Sequence, residues 1–331
     1  MSSISSLLRC PESQTSLRKE NADLVSEKGT HYQTIDGIPH LLTPTKSQKE
    51  EEVRQMMQEF YETVNFPGYD DVDSPAVLIE KAQRSGFGKW LDEGISPFAT
   101  VLEVGCGTGQ MTNFLGMVNT RTVIGVDQSI PSLKLGKKFR DDFELNNVHF
   151  VQGNIFSMPI AENSMDVLIC SGVLHHTPDP KGGYEEILKL VKPGGIILIG
   201  LYNYYARVPT GIRKKIFSLT GRSMRFLDKH LRRKDVDEDK KEIWFRDQYQ
   251  NPHESWHSVD EVLEWFAETG VEFVSAIPHI GGELPDENGT VQLFKNHPQG
   301  SKTSHILKQL YWMSTIGWEG GLFVLTGKKS E

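Results

Sequence analysis

Residues 101–110 read VLEVGCGTGQ, with glycines at 105, 107 and 109 directly after the apolar Val101, Leu102 and Val104. A short buried strand running into a glycine-rich turn and a helix makes a ligand cradle. Glycine lets the backbone approach the ligand closely, and unpaired N–H groups at the helix start face it. The dinucleotide fingerprint G-x-G-x-x-G is not met: its third small position holds Gln110 counted from Gly105 and Thr112 counted from Gly107. No G-x-x-x-x-G-K-[ST] phosphate loop occurs. The next apolar run, Thr122–Asp127, ends in a carboxylate, which at a strand end can accept both ribose hydroxyls of a nucleoside. A fourth run, Met165–Ser171, leads into His175 and His176, whose neutral imidazoles are candidate general bases. His253 and His257 match the zinc-peptidase pattern H-E-x-x-H, which needs both rings one turn apart on a helix. Pro252 precedes the first histidine, and Ser258-x-x-Glu261 caps a helix that starts after the second. Metal peptidase chemistry is therefore excluded, leaving either substrate recognition or a polar knot that fixes the segment.

The pattern E-x-G-x-G-x-G over residues 103–109 resembles the first motif of class I S-adenosylmethionine-dependent methyltransferases. The later segments follow in family order: Thr122–Asp127, Val148–Gln152 with Gly153-Asn154-Ile155 behind it, Met165–Ser171, and residues 196–201 after Lys192-Pro193-Gly194-Gly195. The resemblance implies that Glu103 orients the methionine end of S-adenosyl-L-methionine. Gly105, Cys106, Gly107 and Gly109 pass beneath the cofactor, and Asp127 and Gln128 take the ribose. Asn154 and Ile155 stand by the adenine, where the family often has an acid, and Ser171 completes the set. It further implies methyl transfer by in-line displacement to a small-molecule or lipid-like acceptor through O-, N- or C-attack, with His175 and His176 as candidate catalytic residues. Tyr202, Tyr205, Asp247, Tyr249, His253 and His257 are the expected substrate-binding residues. No metal is expected. Two other readings stay open: a tRNA or rRNA methyltransferase, and a methyltransferase-fold scaffold subunit without turnover.

Strands alternating with helices require an α/β, doubly wound, Rossmann-like sheet with the ligand at the carboxyl ends of the strands. Seven strands are expected, six parallel and the last antiparallel, with the sixth at Val271–Ile277 and the seventh at residues 322–326. Residues 1–45 resemble a small zinc-ribbon module, with Cys10-Pro11 and Gly37-Ile38-Pro39, but Ser13 stands where a second metal cysteine would be. Residues 46–95 read as a helical lid in which Phe60, Tyr61, Phe66 and Tyr69 are candidates to face the cofactor or core. Residues 96–201 are the cofactor-binding core, 202–257 a helical substrate cap inserted after strand five, and 258–331 the completion of the sheet.

Composition bounds the reading. The 331 residues suffice for one large domain or two, and no apolar run approaches the ~20 residues of a membrane-spanning helix. The opening MSSISSLL lacks a signal's basic lead and long apolar region. Three cysteines, Cys10, Cys106 and Cys170, cannot build a disulfide framework and fit a reducing cytoplasm. A net charge of −8 argues against a general nucleic-acid binder. Residues 207–234 nevertheless hold ten Lys or Arg against one acid, Asp228. Such a segment attracts phosphates, acidic substrates, lipid headgroups or the protein's own acidic face, so RNA stays a candidate partner. Nothing in the composition sets the oligomeric state.

Overall fold

The computed structural model describes residues 4–45, 47–62, 68–282 and 292–331. Near the N-terminus, β1 (Leu17–Glu20), β2 (Asp23–Ser26) and β3 (His31–Tyr32) form an antiparallel sheet. The strands β4 (Thr34–Ile35) and β5 (Ile38–Pro39) make a hairpin. Its turn residues Asp36 and Gly37 have φ of 53° and 78°, the Asp-Gly chemistry of a tight turn whose twist matches the strands. The Cys10 sulfur lies 3.1 Å from the Tyr32 hydroxyl, and no metal-binding cluster of His, Cys, Asp or Glu occurs among the described residues. Leu8 bridges to Ile160, while Leu41 N–H donates to the Gln152 carbonyl at 3.0 Å. The segment thereby covers an edge that would otherwise expose unpaired backbone groups.

Helices α1 (Gln48–Glu62), α2 (Pro75–Arg84) and α3 (Phe87–Gly94) precede the main sheet. The α/β alternation then runs β6 (Thr100–Val104), α4 (Gln110–Leu115), β7 (Thr122–Asp127), α5 (Ile130–Asp142), β8 (Val148–Gln152), β9 (Met165–Ser171), α6 (Pro180–Leu188) and β10 (Val191–Tyr202). Helices α7 (Tyr204–Thr220) and α8 (Glu238–Tyr249) are inserted next, with a 3₁₀ segment between them. The chain closes with α9 (Val259–Glu268), β11 (Val271–Ile277), α10 (Lys302–Trp312) and β12 (Leu322–Lys329). Helix α9 starts on the expected Ser258–Glu261 capping box.

The seven strands are ordered β11-β12-β10-β9-β6-β7-β8. Only β12 runs antiparallel to its neighbours, as the sequence predicts. Side chains on a strand alternate faces, so Leu102, Val104, Ile124, Val126, Leu168 and Cys170 enter one core layer. Val101, Val123, Val167, Ile169 and Leu198 enter the other. Both faces are covered, which is why these strands read as continuous apolar runs. The fifth strand starts earlier than residues 196–201, because Val191 pairs with Met165 before a register shift at the Gly194-Gly195 turn. Pairing likewise carries the last strand past 326 to Lys329. Part of the expected 278–300 loop lies outside the described residues, as does Phe66.

Candidate active site

At the carboxyl ends of β6 through β10 the structure holds a cavity of about 470 Å³, the position a doubly wound sheet reserves for ligands. Its floor over β6–β8 is the glycine turn. Gly105 and Gly109 have φ of 69° and 72°. A Cβ on Gly105 would stand 2.3 Å from the Val173 side chain, and one on Gly109 2.4 Å from Phe150. These positions thus need glycine for both backbone conformation and space.

Two carboxylates border this floor. Asp127 accepts from Gly107 N–H and Ser129 N–H, each at 2.8 Å, which fixes the carboxylate against the turn. Burial raises its pKa against these bonds. Glu103 accepts a short hydrogen bond from the Thr112 hydroxyl. Burial pushes its pKa up to about 7, with the Thr112 bonds opposing and the nearby Asp127 charge adding. Cys106 is buried, and burial raises its thiol well above the ordinary range; a Cβ on Gly125 would meet its sulfur at 2.9 Å. Gln128 and Ile155 line the cavity, as does Asn154. The Asn154 amide donates to the Thr43 carbonyl at 3.2 Å and its oxygen accepts from Phe156 N–H at 3.1 Å. Its neighbours therefore fix it in the wall, tying the N-terminal segment to the site.

Over β9 and β10 the wall becomes aromatic. Ser171, His176, Tyr202 and Trp244 line it, with Met57 and Tyr61 of α1. Tyr61 lies edge-on to His176 at 6.1 Å between ring centres, and His176 edge-on to Tyr202 at 5.7 Å. His176 Nδ1 donates to the His253 carbonyl at 2.8 Å. That bond fixes the tautomer and leaves Nε2 as the ring's acceptor. Burial lowers the His176 pKa below its ordinary value. Asp247 also lines the cavity, accepting from Tyr61 Oη at 3.4 Å and Gln248 Nε2 at 2.7 Å.

Several expected residues stand behind this wall rather than in it. His175 is fully buried, stacked on Tyr202 at 3.9 Å, with neither ring nitrogen hydrogen-bonded. Tyr205 lies against Tyr204, away from the lining. Tyr249 belongs to a small apolar cluster with Phe217 and Phe245, its hydroxyl on Asp228. His253 bonds Thr177 O at 3.1 Å, whereas His257 is held by Ser255 and Glu261 at 2.8 and 2.9 Å. The H-E-x-x-H stretch is not helical, and its two rings serve different partners. Of the aromatic candidates in the helical segment, Tyr69 packs on Phe139 in the core.

Other wall residues carried no sequence signal: Arg54, Phe156, Gln248 and Glu319 line the cavity. Arg207, counted with the basic segment, is fully buried. Its guanidinium lies 4.0 Å over the Tyr202 ring and pairs with Glu254 at 2.5 Å. It also donates to Gln248 and to the Gly320 carbonyl. Arg213 is buried and Arg225 is ion-paired with Glu242. The basic run is therefore not a uniform phosphate-facing stripe.

The donor set suits a cationic nucleoside ligand. Glu103, Asp127, Asp247 and Glu319 surround the cavity, and among the described residues Arg54 is the one Lys or Arg in its lining, itself paired with Glu51 at 2.5 Å.

Comparison with known proteins bears on the family and the fold. A family model described as a methyltransferase domain matches residues 95–270. The chain is 32% identical over 155 residues to a demethylmenaquinone methyltransferase of Oceanobacillus iheyensis, covering 46% of this chain and 62% of the relative. It is 30% identical over 107 residues to a sterol 24-C-methyltransferase of Pneumocystis carinii, covering 32% and 28%. The chain thus spans less than two thirds of either relative. The solved structure of PKMT2 from Rickettsia typhi superposes with a TM-score of 0.51 at 18% identity, over 71% of this chain and 49% of that one, which supports the fold. No helix among the described residues is long and apolar enough to cross a membrane.

Proposed function

Because the chain belongs to the methyltransferase-domain family, we propose that it is an enzyme that transfers a methyl group from S-adenosylmethionine to a small-molecule or lipid-like acceptor. The observation that carries this reading is one cavity with two unlike halves. Glycine turn and carboxylates lie over β6–β8, and an aromatic wall with one histidine acceptor lies over β9 and β10. When bound, S-adenosylmethionine supplies an electrophilic methyl on sulfur together with its own leaving group.

The chain's residues do the rest. Asp127 takes the ribose hydroxyls, Glu103 holds the methionine ammonium, and Asn154 and Ile155 flank the base. Tyr61, Tyr202 and Trp244 hold an apolar acceptor and keep water from the reacting atoms. His176 Nε2 removes the acceptor's proton where one must leave. His175 acts through packing, bracing Tyr202. In this reading α1 is the lid and residues 202–257 form the cap, with Arg207 as its internal post. The two named relatives, a demethylmenaquinone methyltransferase and a sterol 24-C-methyltransferase, support an apolar ring-bearing acceptor.

The test is methyl transfer from labelled cofactor into quinone- and sterol-type lipids, with RNA in parallel. Label in the lipid fraction that His176→Ala reduces supports the reading. Label in RNA alone overturns it in favour of RNA methylation.

A further inference from the structure

Helices α7 and α10 are built inside out. In α10 the buried residues are His305, Gln309 and Trp312, while Ile306, Leu307, Leu310 and Tyr311 face outward, Leu307 and Tyr311 at 64% and 67% exposure. The inward polar groups are satisfied: His305 bonds Asp260 and the Gln299 carbonyl, and Gln309 bonds Asn203 and Val259 N–H. In α7 the buried side includes Arg207, Thr210 and Arg213, while Tyr204, Ile212 and Leu219 point outward. Their spacing of eight and seven residues sets them on one stripe. The two helices pack against each other, so one face of the molecule carries large apolar side chains where a water-facing helix would carry polar ones. A patch of this kind marks an interaction site.

Charge identifies the occupant. Exposed Lys215 lies on α7 itself, and exposed Lys229, Arg232 and Lys234 follow in the turn after the 3₁₀ segment that continues α7; none of the four makes an ion pair among the described residues. A second copy of the chain, docked by two-fold symmetry, would set these like charges against themselves. An anionic bilayer surface meets both requirements, with an apolar boundary beneath a layer of phosphates. The face also adjoins the cavity. The 3₁₀ turn Ile316–Glu319 packs on α7, carries the partly exposed Trp318, and continues into Glu319 and Gly320 of the cavity wall.

We propose that the α7–α10 face docks this protein on an anionic lipid surface. Leu219, Ile306, Leu307, Leu310 and Tyr311 enter the headgroup boundary, and the free cations engage lipid phosphates. The docked protein lies on the membrane without crossing it and meets an apolar acceptor beside its cavity. Only this last point rests on the functional reading above.

The test is sedimentation of the full chain with phosphatidylcholine vesicles, with and without phosphatidylglycerol. Variants are Leu307→Glu/Tyr311→Glu, the milder Leu307→Ser/Tyr311→Ser, and Lys215→Glu/Arg232→Glu. Circular dichroism confirms folding, and cofactor titration runs on each variant. The expected result is binding to phosphatidylglycerol vesicles, lowered at least tenfold by each set and unaccompanied by loss of cofactor affinity. Absence of vesicle binding, or binding that every variant preserves, overturns the proposal. So does a dimer that Leu307→Glu/Tyr311→Glu dissolves while vesicles stay unbound. Vesicle binding by a chain that never binds cofactor would instead overturn the functional reading and leave this one standing.

Discussion

His176 Nδ1 donates to the backbone carbonyl of His253 at 2.8 Å, and His253 Nε2 reaches back to the Thr177 carbonyl at 3.1 Å. This reciprocal clamp pins the turn after β9 to the loop after α8 and dedicates His176 Nε2 to the cavity. Replacing His176 with Asn keeps a donor for His253 but removes the proposed base. Turnover is expected to fall about 10²–10⁴-fold, with cofactor affinity unchanged in calorimetry. The wild-type rate should rise with pH through a value below the ordinary histidine pKa, since burial favours the neutral ring. The His176→Asn variant should lose that limb.

Glu103 sets an opposite trade between stability and binding. Its carboxyl is raised to about 7, above the unfolded value, so the folded protein holds it protonated below that pH. Stability is therefore lost as pH rises from about 4.5 to about 7. Glu103→Gln should be more stable than wild type by roughly 3 kcal/mol at pH 8 and near parity at pH 4.5, as urea unfolding would reveal. Cofactor affinity of the wild type should weaken as pH falls through about 7. The variant should bind weakly at every pH.

The Arg207–Glu254 pair is buried at 0% and 9% side-chain exposure. Arg207→Ala strands a buried carboxylate and should cost about 3–5 kcal/mol in urea unfolding. The double change Arg207→Met/Glu254→Met should recover most of that loss, because no lone charge is left behind. Equal destabilisation in the single and double variants would refute the pairing.

A Cβ at position 105 meets both a left-handed backbone and the Val173 side chain. Gly105→Ala is expected to lower cofactor affinity at least tenfold, with a stability loss of about 1–3 kcal/mol. Adding Val173→Ala relieves the clash but not the backbone strain, so recovery should be partial.

The first four strands of the main sheet were readable because each is a mostly buried apolar run that ends in an acid or is followed directly by glycine. The predicted bounds of the second, third, fourth and sixth match the structure, and the seventh begins where expected. The site was harder to read where residue type alone had to decide. Tyr202 and Tyr249 are both tyrosines of the stretch from the end of β10 through the inserted helices, yet one lines the cavity and the other anchors Asp228. Arg207 looked like one cation in a basic run because its partner Glu254 lies 47 positions away. Asn154 reads as a departure from the family acid, but its amide is held by Thr43, 111 residues earlier. Local pattern carries the strand and turn; long-range pairing chooses which side chains line the cavity.

The most direct measurement is calorimetric titration of the folded protein with S-adenosylmethionine, beside Asp127→Ala. Micromolar binding that Asp127→Ala abolishes is expected, since that carboxylate shapes the glycine turn through Gly107 N–H and, in the proposed function, takes the ribose. A folded wild type that binds no cofactor, or an Asp127→Ala variant that binds as tightly, would contradict it and favour a scaffold role for this fold.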